Sequence, residues 1–213
     1  MVSVVLRKTS FVDYPALVSS VIFFYGCNLR CPWCHNRELL TEGEAVKIPA
    51  DNIGPSGIPA KNSVPVDLEK ALEHVEKRRK LLGGVVLSGG EPTLYPGLPE
   101  LTARIKALGL RVKIDTNGMR PDVLEKLFAN HETRPDYIAM DLKLAPERYA
   151  ELSPAGITDP GGHLRRSAEL IRLSGIAHEF RSLSLPCFGE SDREALAPLA
   201  GSSLWRIRPF VPA

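Results

Sequence analysis

The chain has no apolar run near the roughly 20 residues that a membrane-spanning helix needs, which sets aside a helical membrane protein. Met1 to Ser10 lacks the apolar core of a secretory signal, so export is not expected. The net charge is only +2, from 27 basic and 25 acidic residues, too little to make nucleic acid the main partner. Cysteine is scarce, four in all, and three of the four crowd together at Cys27, Cys31 and Cys34 while Cys187 stands far off. That distribution does not make a disulfide framework. It points to a metal site in a reducing compartment, with the cytoplasm as the expected location. The remainder is ordinary for a folded protein, 44% hydrophobic and 24% charged. A length of 213 residues suits one domain spanning the whole chain.

Residues 1–19 hold a short β-rich run, Ser3 to Leu6, and then Asp13-Tyr14-Pro15, and read as an N-terminal extension or hairpin. Ser20 to Tyr25 is a β-branched and aromatic run, as expected of a strand buried on both faces. A short helical piece at Arg37 to Leu40 leads into residues 41–65, rich in proline and glycine, which read as a long surface loop. From Asp67, a candidate N-cap, Leu68, Leu72 and Val75 mark one helical face continuing toward Leu81 and Leu82. Strands follow at Val85–Leu87, Leu110–Asp115, Tyr137–Leu142, Ala177–Leu185 and Leu204–Phe210, with helical patterns between them.

Six strands alternating with helices predict a parallel α/β sheet, either doubly wound or an incomplete barrel. Both architectures gather their active site at the C-terminal ends of the strands. The residues found there are polar or glycine-rich after strand upon strand. They are the three cysteines, then Ser88-Gly89-Gly90-Glu91-Pro92-Thr93, Asp115-Thr116-Asn117-Gly118, Asp141-Leu142-Lys143 and Pro186-Cys187.

Three thiolates spaced by three and then two residues can converge on one soft metal centre. Closed structural zinc normally takes four ligands, and His35 or Cys187 would have to be the fourth. An iron–sulfur cluster held by three cysteines leaves one iron open to a substrate. Asp115 and Asn117 also fit a plain helix cap, and Asp141 with Lys143 a plain ion pair. Cys187 reads as a small filler or incidental thiol, and His74, His131, His163 and His178 have no motif context.

Cys27-x3-Cys31-x2-Cys34 after a first strand, with an aromatic residue at Trp33, resembles the signature of radical S-adenosylmethionine (SAM) enzymes, and Gly89-Gly90-Glu91-Pro92 matches that family's Gly-Gly-Glu-Pro motif. Cys34-His35-Asn36, Asp115-Thr116-Asn117-Gly118, Tyr137 to Lys143 and Glu179-Phe180-Arg181 are similar to the activating enzymes of glycyl radical proteins. Within that branch the likeness runs to the activating proteins of anaerobic ribonucleoside-triphosphate reductase.

The resemblance implies a partial (β/α)6 TIM-like barrel and a 4Fe-4S cluster on Cys27, Cys31 and Cys34. SAM would bind the open iron by its amino and carboxylate groups. One electron would then cleave its carbon–sulfur bond to methionine and a 5'-deoxyadenosyl radical. By resemblance, Trp33, His35, Asn36, Gly89, Gly90, Glu91, Asp115, Thr116, Asp141, Lys143 and Arg181 contact that cofactor. Gly89 and Gly90 would let backbone approach its amino group. Asp115, Thr116, Met140 and Asp141 would form a monovalent-cation site. The implied partners are a glycyl radical protein, with anaerobic ribonucleotide reductase first, and reduced flavodoxin or ferredoxin as electron donor.

The chain departs from the family at Ala16, where glycine is usual, so a different turn is expected there, and in stopping soon after Phe210. With only three clustered cysteines, a single cluster is expected. Two other readings stay open. One is a small-molecule radical enzyme of the same superfamily, a carboxy-deazaguanine synthase-like enzyme or a maturase, using Asn52, Lys61 and Asn62. The other is a zinc-binding module without activity.

Overall fold

Alternation of apolar runs with amphipathic ones produces a single mixed sheet wrapped on one side by helices. The computed structural model describes residues 2–40, 63–153 and 156–210. In chain order the elements are β1 (Ser3–Tyr14), β2 (Leu17–Phe24), β3 (Ser63–Asp67), α1 (Leu68–Lys77), β4 (Gly84–Gly89), α2 (Leu98–Ala107), β5 (Arg111–Thr116), α3 (Pro121–Ala129), β6 (Tyr137–Asp141), α4 (Pro160–Leu173), β7 (Ala177–Ser184), α5 (Glu190–Ala200) and β8 (Trp205–Pro209). The sheet order is β3-β1-β2-β4-β5-β6-β7-β8.

The six expected strands are β2 and β4 to β8, and each pairs in parallel with the next. Their order never reverses, so there is no switch point of the doubly wound kind. Uniform right-handed crossovers instead place every helix on one face and curl the sheet into an open barrel with β3 and β8 at its ends. Strand residues sort by period two. Val4, Leu6, Ile22, Phe24, Val85, Leu87, Val112, Ile114, Ile138, Met140 and Phe180 share one core with buried residues of all five helices. Val5, Val21, Phe23 and Val86 pack on the opposite, inner face.

Two expectations need correction. Residues 1–19 are not an extension: of the two readings the hairpin holds, β1 turning at Pro15-Ala16 to pair antiparallel with β2, but β1 runs for 12 residues inside the sheet and pairs with β3 as well. Ser63 to Pro65, expected in the loop over 41–65, begin strand β3. Proline is tolerated there because β3 is an edge strand, where a missing N–H breaks no second ladder. The rest of that loop, with Asn52, Lys61 and Asn62, lies outside the described residues.

The turn at Pro15-Ala16 does not differ in kind from one built on glycine. Tyr14 pairs with Leu17, and Ala16 takes φ +60 itself, in a region that costs an L-residue about 1–3 kcal/mol. Helix α1 starts as expected, the Asp67 carboxylate accepting from the Glu69 N–H at 2.9 Å. It ends at Lys77, short of Leu81, which is exposed.

Candidate functional site

The C-terminal ends of the parallel strands open into one cavity of about 310 Å3. Cys27, Cys31, Trp33, Cys34, His35, Asn36, Gly89, Gly90, Glu91, Asp115, Thr116, Asp141, Lys143 and Arg181 all line it. Of the residues singled out in the motifs as site candidates, Met140 alone is absent from the wall.

The cysteine loop leaves β2 through Gly26, at φ +84, whose N–H donates to the Leu39 carbonyl at 2.7 Å. A turn closed by the Cys34 N–H on the Cys31 carbonyl, at 3.0 Å, holds those two thiols on one side. The loop after β4 is stitched directly to it. The Gly90 N–H donates to Phe24 O at 2.9 Å and the Glu91 N–H to Gly26 O at 2.8 Å. A Cβ on Gly89, at φ +120, would stand 2.3 Å from Phe24 N, and one on Gly90 would stand 2.0 Å from Gly26 O. The close approach these glycines permit is therefore to the cysteine loop's own backbone.

Glu91 is buried and ties three loops together. Its carboxylate accepts from Thr93 N–H (3.1 Å), Thr93 hydroxyl (2.6 Å), Thr116 hydroxyl (2.8 Å) and Asn117 N–H (2.7 Å). Burial pushes its pKa up, and those four donors oppose the rise. Neither Asp115 nor Asn117 caps α3, which begins after Arg120 without a side-chain cap.

Along β5, β6 and β7 the inner positions form an alternating row of charge. Asp115 pairs with Lys113 and lies 3.5 Å from Arg181, while the Ser88 hydroxyl donates to it at 3.2 Å. Arg181 donates to Asp141 at 3.0 Å, and Lys143 meets the other Asp141 oxygen at 3.0 Å. Asp141 and Lys143 are thus an ion pair, as the simpler reading held, but one that faces the cavity. Burial alone would raise the Asp141 carboxyl, yet Lys143 and Arg181 outweigh it and hold the pKa at about 2. Burial likewise works against the Lys143 ammonium, and Asp141 and Cys31 raise its pKa in spite of that. A third of the Asp141 side chain remains open to the cavity (32%), so water there screens the pair.

The four residues of the implied cation site do not converge through their side chains. Met140 is wholly buried in the helix-side core, its terminal methyl against Gly118, and the Thr116 hydroxyl is committed to Glu91. The carboxylates of Asp115 and Asp141 already face lysine and arginine.

The donor set fits an iron–sulfur cluster. Cys27, Cys31 and Cys34 are free and partly buried in the cavity. Burial pushes the Cys27 thiol up to about 11 against the Leu29 N–H, and raises Cys31 against the nearby Lys143 charge. Such thiols are poor free nucleophiles. A metal that displaces their protons would make them ligands. Cys187 is exposed, so it fills no core space, and it does not line the cavity. His74, His131, His163 and His178 do not line it either.

Among the cavity residues given no role in the sequence reading are Arg7 and its 2.7 Å partner Asp13 from β1, and Phe23; Ser88, named there only as part of a strand-end motif, joins them. Arg7 follows Val5, Phe23 follows Val21 and Ser88 follows Val86 by two, so the inner-face parity was the available signal. His35 stacks on Phe210 with ring centroids 5.7 Å apart, and the Asn36 amide reaches Gly89 O at 3.5 Å.

Comparison with known proteins bears on this geometry. The model of the Radical SAM superfamily matches residues 21–177. A provisionally named glycyl-radical enzyme activating enzyme of Methanocaldococcus jannaschii is 30% identical over 95% of this chain and 77% of its own length. A pyruvate formate-lyase-activating enzyme of Listeria monocytogenes is 31% identical over 72% of this chain and 59% of its own length. The crystal structure of QueE from Escherichia coli superposes with a TM-score of 0.56 at 16% identity, covering 98% of this chain and 84% of that one, which supports the fold alone.

Proposed function

The chain belongs to the radical SAM superfamily, and on that premise we propose that it is an activase that generates a glycyl radical on a partner protein. The observation that carries the reading is the cavity in which three free thiols face a row of charged groups. Similarity to the M. jannaschii activating enzyme over nearly the whole chain supports the choice of a glycyl radical protein as substrate. When bound, a 4Fe-4S cluster and SAM supply a 5'-deoxyadenosyl radical that abstracts hydrogen.

The protein's own groups hold and shield that chemistry. Cys27, Cys31 and Cys34 would be the cluster ligands. Lys143 would meet the carboxylate of the methionyl group as a point charge, and Arg181, held by Asp115 and Asp141, stands on the same wall. Trp33, His35 and Asn36 close the cavity on the side of the cysteine loop. We place the reaction in the cytoplasm, where thiols stay reduced. Anaerobic ribonucleotide reductase is the first partner to test, with reduced flavodoxin or ferredoxin as donor.

The test is electron paramagnetic resonance (EPR) of the anaerobically reconstituted protein mixed with SAM, a reductant and the reductase. A glycyl radical signal is expected. SAM cleavage without a radical on any glycyl radical protein of the same cell would overturn the activase reading. Zinc without iron or sulfide would overturn the radical reading altogether.

A further inference from the structure

The three thiols are not equivalent. Two N–H donors converge on Cys27: the Leu29 N–H at 3.4 Å and the Asn117 side-chain amide at 3.7 Å. Among the described residues, no other residue donates a hydrogen bond to the sulfur of Cys31 or Cys34. We propose that Asn117 is a positioning residue that hydrogen-bonds the Cys27 sulfur and thereby sets the reduction potential of the cluster those cysteines hold.

The orientation of the amide is decided by its neighbours. The Met119 N–H donates to Asn117 Oδ1 at 2.9 Å, so the oxygen is occupied on that side and Nδ2 is the atom turned toward Cys27. The second N–H of the amide donates to Asn28 Oδ1 at 2.7 Å, on the cysteine loop. Asn117 is itself held in place, since it is buried and its backbone N–H donates to Glu91. Glu91 therefore reaches the cluster loop twice, through its own N–H on Gly26 O and through Asn117. The arrangement fixes the donor before any cluster is present, and little has to reorganise on electron transfer.

A hydrogen bond to a thiolate sulfur withdraws charge from the cluster. It favours the more negative, reduced state and so raises the potential. Removing the donor makes reduction harder. The inference rests on the reading that Cys27, Cys31 and Cys34 hold a 4Fe-4S cluster.

The experiment is a redox titration of the reconstituted full chain without SAM, followed by EPR, comparing wild type with Asn117→Ala and Asn117→Asp. Iron and sulfide content is measured first, so absence of a cluster in wild type defeats the cluster reading and is not confused with failure of this one. At a fixed potential, the reduced-to-oxidised ratio is expected to fall about tenfold in N117A, a shift of about 59 mV for one electron. It should fall further in N117D, which keeps the acceptor for Met119 but turns a carboxylate toward the sulfur. An unchanged potential in cluster-replete N117A overturns the proposal. Should both variants fail to take up a cluster, wild type carrying asparagine labelled with 15N at the side-chain amide decides the matter. Pulsed EPR of its reduced cluster is expected to show coupling to that nitrogen, and absence of coupling overturns the proposal.

Discussion

The two faces of the sheet are made from alternate residues of the same strands, and they solve opposite problems. On the helix side, Val112, Ile114, Ile138, Met140 and Phe180 are fully buried among aliphatic neighbours. On the inner side, the alternate positions include Lys113, Asp115, Asp141, Glu179 and Arg181, charges that a helix-covered parallel sheet would ordinarily exclude. The comparison teaches that stability and chemistry are separated by one residue of register. The apolar face holds the strands in order; the inner face holds charges where the strands end.

Substitutions on each face test that division. The largest expected effect belongs to the inner face: Cys31→Ala should abolish cluster iron, sulfide and SAM cleavage together while the urea midpoint of the metal-free protein stays near wild type. Retained cleavage would remove Cys31 from the ligand set. On the other face, Ile114→Ala should lower stability by about 2–5 kcal/mol, read from urea unfolding, and leave the iron content of the folded protein unchanged.

Between these lies Gly90→Ala, whose methyl must displace the Gly26 carbonyl from 2.0 Å. A loss of about 1–3 kcal/mol is expected, with poorer cluster uptake. A normal cluster yield at wild-type stability would show that the two loops are not interlocked. Lys143→Gln should weaken SAM binding about tenfold, or about 1.4 kcal/mol, by calorimetry on reconstituted protein, with the urea midpoint little changed.

The smallest effect concerns Asp141. Its folded pKa, about 2, lies below the value of about 3.9 for an unfolded aspartate. The stability it adds is therefore present above about pH 4 and lost as pH falls toward 2. Asp141→Asn should reduce stability by about 1 kcal/mol at pH 7, since cavity water screens the pair, and the gap to wild type should close on acidification. A gap that persists at low pH would mean that packing, not charge, is responsible.

Much of the fold was legible because apolar runs with helical or strand period report burial directly. All six parallel strands lie where the runs Ser20–Tyr25, Val85–Leu87, Leu110–Asp115, Tyr137–Leu142, Ala177–Leu185 and Leu204–Phe210 put them, within a few residues. Strands β1 and β3 were harder. β1 ends in Asp13 and Tyr14 before a proline, and β3 contains Pro65, so local propensity argues against both and only pairing with neighbours makes them strands. Arg7 and Asp13 were missed in the cavity for the same reason, since a segment read as an N-terminal extension or hairpin was not assigned an inner face.

The sequence alone placed three soft donors in one short loop and set the roster of strand ends. Residues at the ends of parallel strands share an edge whatever the details of packing. Only the tertiary structure decided what each residue does there. It turned Gly89 and Gly90 toward the cysteine loop, committed Glu91 to Thr116 and Asn117, buried Met140 away from the cavity and brought the Asn117 amide to Cys27. Those contacts join residues 25 to 90 positions apart. They depend on which strands are neighbours and in what register, and register is set by burial of whole strand faces, not by any local stretch of chain.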